Sequence, residues 1–313
     1  MVTHPLAFTL LPAEMDCQWN RAKLLDHSTR DEVLNMKVAY SNLACPEWSV
    51  EEVFENAARY GYQGVELRLL HGDVIPADVD AAEAKLIADA ARTRGIKIVG
   101  IGASTRFAMA DEAERMQNVA DLLRYLELAD RIGAPMVRTF GGTAPQLADT
   151  TSIREVNQWV ADALRQVSRR AQELGVYVLL ETHDDFSSSF RVAEVLRAVD
   201  SPYVKALWDT HHPYRMGETV ETTLSNLHDW LHHVHLKDAR RKGEDWELVP
   251  FGEGEVPVQE IVQQVLNDGY DGWFCVEWER KWHPEIADAH TALPNHRQVL
   301  EGYFQAYEKA RAR

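Results

Sequence analysis

VYVLLETH (176–183), VKALWDTHH (204–212), HHVHLKD (232–238) and WFCVEWER (273–280) together decide the fold. Each is a short apolar run rich in β-branched or aromatic residues, the pattern of a strand buried on both faces of a parallel sheet. Near its end each carries a residue that binds hard cations: Glu181, Asp209, His235 and Glu277. Helix-length segments lie between the runs. In a closed parallel barrel, neighbouring strand ends converge on one mouth, where catalytic groups stand. An open doubly wound sheet would not bring four successive strands around one axis. The expectation is therefore an α/β fold, a (β/α)8 TIM barrel.

The alternation continues toward the N-terminus. KVAYSNLA (37–44), GVELRLL (64–70), IKIVGIGAS (96–104) and PMVRTFGG (135–142) read as strands one to four, and the quoted runs as strands five to eight. Ser49 with Glu52 three residues later is a capping box at the start of the first helix. Further helices are expected from about Asp111 to Ile132, from about Ser152 to Leu174, and last from about Asn295 to Ala310. Gly61, Gly95, Gly133 and Gly175 each follow a helical stretch, where a left-handed cap favours glycine. The stretch from Ala239 to Pro257 is too polar for a helix and reads as a long loop or hairpin on the catalytic face. Residues 1–36 do not fit the alternation and read as an N-terminal arm, which leaves 37–313 as a single barrel domain.

The chain has 313 residues, 45% of them hydrophobic, enough for one large core. A formal charge of −16 argues against a nucleic-acid or anionic-membrane binder, which needs a basic face. Cys17, Cys45 and Cys275 are few and widely spaced, so neither a disulfide framework nor a thiolate zinc site is indicated, and Cys275 reads as a small core residue. No run reaches the ~20 apolar residues of a membrane span, and the N-terminal PLAFTLLPA lacks the basic start of a secretory signal. A cytoplasmic location is expected.

Three carboxylates and one imidazole, without thiolate, suit one hard or borderline divalent ion: Mn2+ first, with Co2+, Mg2+ or Zn2+ as alternatives. Period two in HHVHLKD puts His233, His235 and Lys237 on one face. His183 stands two residues after Glu181, and His212 three after Asp209. Glu66 and Arg68 on strand two and Arg138 on strand four are candidate substrate contacts or barrel ion pairs. Trp246, Trp278 and Trp282 offer either a flat face to a sugar ring or packing, and Trp282 is taken as a substrate contact.

The stretches LLETHDD, LWDTHH, HVHLKDA, FGEGEVP and FCVEWERKWHP resemble the xylose isomerase-like TIM barrels of the sugar phosphate isomerase/epimerase superfamily, over nearly all the chain from residue 37. The resemblance implies Glu181, Asp209, His235 and Glu277 as the metal set and His212 as a substrate-side group. It also implies Arg241, six residues after the metal histidine, as a substrate contact, with Arg240 beside it. Ser187 stands where the family's ketose 3-epimerases carry a glutamate. The activity implied is a divalent-metal-dependent sugar isomerase or epimerase. The ion polarises a ketose carbonyl, a carboxylate removes the neighbouring proton, and an enediolate forms. Glu181 and Glu277 would flank the substrate as acid and base, while His183, His212 and Lys237 serve the developing oxyanion.

Two other classes stay open. One is a metal-dependent lyase or dehydratase of a keto-cyclitol or 3-keto-glycoside, like inosose dehydratases or C-glycoside-cleaving large subunits. The other is a non-catalytic sugar-binding barrel. A trinuclear zinc endonuclease needs histidines after strands three and four, where the chain reads GASTR and TFGG. The loop after strand eight, ERKWHPEI, has no glycine to cradle phosphate, and five acidic residues accompany the basic run Arg240–Lys242. The expected partner is an unphosphorylated sugar or polyol, with no nucleic acid and no membrane; a homo-oligomer is left open.

Overall fold

The computed structural model describes residues 36–144 and 152–312, so the arm expected over 1–36 lies, but for Met36, outside the described residues, Cys17 included. Eight parallel strands close into a barrel: β1 Lys37–Ser41, β2 Gly64–Leu67, β3 Lys97–Gly102, β4 Met136–Thr139, β5 Tyr177–Glu181, β6 Val204–Asp209, β7 Leu231–Leu236 and β8 Trp273–Val276. Strand β8 pairs with β1, which removes both sheet edges. The expected barrel is what the chain forms.

Helices α1 Val50–Tyr60, α2 Ala81–Thr93, α3 Glu112–Ile132, α4 Ile153–Leu174, α5 Ser189–Val199, α6 Val220–Leu227, α7 Val258–Asn267 and α8 Ala289–Arg311 surround it. The capping box forms: Ser49 Oγ accepts from Glu52 N, and the Glu52 carboxylate accepts from Ser49 N at 2.8 Å. Asp111 and Ser152 cap α3 and α4 as read. The four expected glycines all stand at positive φ.

Two elements differ from the reading, and the expected loop or hairpin takes a definite form. The run 64–70 is not one strand: after Leu67, Leu69–Leu70 leaves the barrel and pairs with Asp73–Val74. The Asn42 side chain takes over there. Its Oδ1 accepts from Arg68 N and Leu69 N at 2.7 and 2.9 Å, and its Nδ2 donates to Leu69 O at 2.8 Å. The last helix begins at Ala289, capped by Asp288, with Pro294 inside it. Pro294, its sixth residue, has no N–H to reach the His290 carbonyl, so the helix runs on with that bond missing. Residues 239–257 do contain a hairpin, Asp238–Lys242 against Asp245–Val249. Asp238 fastens its base, its carboxylate accepting from the backbone N–H groups of Ala239, Gly252, Gly254 and Val256. A Cβ at Gly254 would stand 2.1 Å from Asp238 Oδ1, so only glycine permits that approach.

The larger core lies between barrel and helices. Inside the barrel Ala39, Val99, Met136, Leu179, Leu207 and Cys275 form a smaller apolar floor, so Cys275 is the core residue expected. Period two then turns floor into mouth. Two residues beyond Met136, Leu179, Leu207 and Cys275 come Arg138, Glu181, Asp209 and Glu277, all buried. Among the described residues no helix is long and apolar enough to cross a membrane.

Candidate metal centre and active site

Glu181, Asp209, His235 and Glu277 each bring one ligand atom to a point where all four lie within 4.8 Å of one another. His235 Nδ1 is 3.3 Å from Glu181 Oε1 and 3.4 Å from Glu277 Oε1. Two ligands at ~2.1 Å from one ion and at a tetrahedral angle stand ~3.4 Å apart. The other imidazole nitrogen is engaged: His235 Nε2 lies 2.9 Å from Glu66 Oε2. With that nitrogen donating to Glu66, Nδ1 of the neutral ring presents a lone pair to two carboxylates. At these distances either a proton on Nδ1 or a cation must lie between the atoms, and three carboxylates with one imidazole are a donor set that fits a divalent ion.

Lys237 approaches from the side, its Nζ 2.8 Å from Asp209 Oδ2 and 2.7 Å from Glu277 Oε2, with Glu279 as a third partner. Arg138 Nε is 3.3 Å from Glu181 Oε2, and its guanidinium lies over the Phe140 ring at 4.0 Å. Gly102 gives this side its room, since a Cβ there would stand 2.8 Å from Arg138 Nη2 and 2.9 Å from Arg68 Cδ. Glu66, Glu181, Asp209, Glu277 and Glu279 face the fixed cations Arg68, Arg138 and Lys237. Five carboxylates against three cations leave an excess of two negative charges, the charge of one divalent ion.

Burial alone would raise both candidate bases. Arg138 and His235 nevertheless keep Glu181 below the usual carboxylate range, and Lys237 and His235 keep Glu277 well below it. Both are therefore ionised at neutral pH. The two flanking histidines diverge. Burial opposes the charge on His183, but Asp184, whose Oδ1 is 2.9 Å from its Nδ1, raises it overall. Burial holds His212 well below the imidazole range, with the positive neighbours His183 and Lys237 adding to the effect. Their ring centroids are 4.3 Å apart. Asp184 favours the charged form of one ring and burial the neutral form of the other, a pairing that separates acid from acceptor roles.

The remaining expected residues lie further out. Arg240 is exposed and pairs with Glu247 at 2.5 Å. Arg241 lies 5.2 Å from the Trp246 ring and, with Tyr214 and Arg215, lines a groove of about 510 Å3 beside the hairpin. A row of rings links this groove to the mouth: Trp246 is 5.1 Å from His211, which follows Thr210 and lies 5.7 Å from His212. Trp282 is 46% exposed on the loop after β8, and Trp278 is packed in the core. Glu66 reaches His233 and His235 rather than the mouth's outer rim. Glu279 went unremarked in the sequence, although period two from Glu277 marks it, as it marks Lys237 from His235.

A family described as "Xylose isomerase-like TIM barrel" matches residues 54–301. Fructoselysine 3-epimerase of Escherichia coli O157:H7 is 25% identical over 240 residues, 73% of this chain and 85% of that one. Inosose dehydratase of Bacillus thuringiensis (strain Al Hakam) is 25% identical over 274 residues, 78% of this chain and 88% of that one. Among solved structures, the IOLI protein with a binding zinc atom superposes with a TM-score of 0.73 at 18% identity, covering 87% of this chain and 99% of that one.

Proposed function

The chain belongs to the xylose isomerase-like TIM barrel family, and on that premise we propose that it is a metal-dependent sugar isomerase or epimerase. The substrate is an unphosphorylated keto sugar or related polyol, and Glu181, Asp209, His235 and Glu277 hold the ion. Mn2+ is the favoured ion, Co2+, Mg2+ and Zn2+ the alternatives, and the setting is cytoplasmic. The observation that carries this reading is the convergence of Glu181, Asp209, His235 and Glu277 within 4.8 Å of one another, with His235 Nδ1 at 3.3 and 3.4 Å from Glu181 and Glu277.

The ion, when bound, would polarise the substrate carbonyl and acidify the adjacent C–H. The chain's own groups do the rest. Glu181 and Glu277, on strands three steps apart, are ionised acceptors on opposite sides of the mouth, and each can hold a proton taken from carbon. Arg138 and Lys237 keep them charged and turned inward. His183, whose charged form Asp184 favours, supplies a donor for substrate oxygen, and His212, held toward the neutral form, supplies a second polar contact. The excess of two negative charges is cancelled by the ion alone, which supports a substrate without phosphate. Arg240 is already matched by Glu247, so the basic run offers little to a dianion.

A lyase or dehydratase acting on a keto-cyclitol or 3-keto-glycoside uses the same proton abstraction. The Trp246 groove supports it, because a group attached to the sugar would have a place there. The test is a panel of ketoses, inososes and 3-keto-glycosides in D2O, read by NMR. Deuterium at the carbon next to the carbonyl with an epimer or isomer formed supports the first reading. Loss of a β-substituent supports the second. No exchange with any member in the Mn2+-supplemented enzyme would reject both.

A further inference from the structure

We propose that Glu66 is a positioning residue that turns His235 toward the ion, by accepting the proton of Nε2 and so leaving Nδ1 bare. The inference rests on the metal reading above and concerns how that site is built. Strands β2 and β7 are not neighbours; β1 and β8 lie between them in the barrel. Glu66 therefore reaches across the interior to place Oε2 at 2.9 Å from His235 Nε2 and 3.1 Å from His233 Nε2. At these separations each contact needs a proton, and an ionised carboxylate has none to give, so both nitrogens donate. Glu66 is 1% exposed and both histidines are fully buried, so no water substitutes for the carboxylate.

The contact fixes two things at once. It selects one of the two tautomers of a buried imidazole, and it sets the ring plane so that Nδ1 faces Glu181 and Glu277. Histidine ligands owe their orientation to such carboxylate partners, whose loss costs about 10–100-fold in metal affinity. His233 holds the shared oxygen from the second side. It packs edge-on against His235 at 5.2 Å between ring centroids but is not one of the four clustered ligands, and it serves to anchor Glu66.

The same residues allow one rival arrangement, because Glu66, His233, His235 and Cys275 also present atoms within 4.8 Å of one another. A thiolate, two imidazoles and a carboxylate form a tetrahedral zinc-type set, whose donors would stand ~3.4 Å apart or more. The observed 2.9 and 3.1 Å are hydrogen-bond distances. They favour a proton between the atoms over an ion.

The experiment is calorimetric titration of the full chain with Mn2+ and with Zn2+, for the unaltered protein, Glu66→Gln and Glu66→Leu. A glutamine oxygen still accepts from Nε2, so Glu66→Gln should stay within a few-fold of the parent. Glu66→Leu should bind one ion about 10–100-fold more weakly. Unchanged affinity in Glu66→Leu would overturn the proposal, as would equal losses in both variants, which would indicate charge rather than an oriented acceptor. Two ions per unaltered chain, with one lost in Cys275→Ser, would replace it with a second metal site. If Glu66→Leu does not fold, nitrogen-15 NMR of the Zn2+-loaded parent decides: a proton on His235 Nε2 is expected, and one on Nδ1 refutes the assignment. A parent chain that binds no divalent ion would instead reject the metal reading itself.

Discussion

The two ends of the barrel both gather histidines and carboxylates, and they differ in whether those groups satisfy one another. At the end where the strands begin, Lys37, His228, His232, Asp268 and Tyr270 surround a cavity of about 330 Å3. There His228 Nδ1 meets Asp268 Oδ2 at 2.6 Å, Lys37 donates to Asp271 O at 2.5 Å, and Tyr270 donates to Trp273 O at 2.8 Å. His232 lies against the Tyr177 ring at 4.1 Å. At the other end, three carboxylates converge on one imidazole and the fixed cations fall short by two. The kinds of residue are alike, so composition does not mark the site. Unbalanced electrostatics in a buried place does, because burial makes an unmatched charge costly unless a ligand completes it.

The contrast predicts, first, that chelation abolishes activity and that Mn2+ or Co2+ restores it. A saturating ion should also raise stability, by ~2.7 kcal/mol at a hundred times its Kd. Calorimetry with and without chelator tests this, and full activity in metal-free protein would break the comparison outright. Next in size is proton transfer: Glu181→Gln and Glu277→Gln should each lower solvent deuterium exchange at the substrate carbon by at least ~10² and weaken metal binding. His228→Gln at the far end should leave exchange at the parent rate, and a similar loss there would show that the two ends are not functionally distinct.

The third effect is pH dependence of metal binding. Burial opposes protonation of His235, but Glu66 and Glu277 outweigh it and raise the group well above the imidazole range in the metal-free chain. The stabilisation this gives is complete below the ordinary imidazole pKa and is lost as pH rises through the raised value. At neutral pH an incoming ion must displace that proton, so affinity should climb with pH by up to ~10-fold per unit, with about one proton released per ion. Titration in two buffers of different ionisation enthalpy counts the proton, and a pH-independent affinity would contradict the assignment.

The smallest effect belongs to the opposite end. A hydrogen bond from Asp268, with its charge, raises His228, whose side chain is 56% exposed. The pair is therefore worth no more than ~1 kcal/mol after solvent screening. Its contribution is complete below the ordinary imidazole pKa and fades as pH rises through the raised value. Urea unfolding of His228→Ala against parent should show a gap near pH 5 that closes by pH 9, and a gap that widens with pH would reverse the sign.

Much of this molecule could be read from its chain. The eight strands, the capping box at Ser49 and the glycine caps depend on spacings of two to four residues, which act within a single element. Glu181, Asp209, His235 and Glu277 were legible for the same reason: each ends its own strand, and closure of a parallel barrel brings such ends together without further instruction. The bend at Arg68 was not legible, because it depends on a hydrogen-bonding side chain, Asn42, far away in sequence. Nor was the start of the last helix, which Asp288 caps six residues ahead of Pro294. Above all, the chain could not show that Glu66 belongs to His235. Those residues sit on strands that never pair, and only the diameter of the closed barrel, with the small side chains that line it, decides which groups meet across its interior.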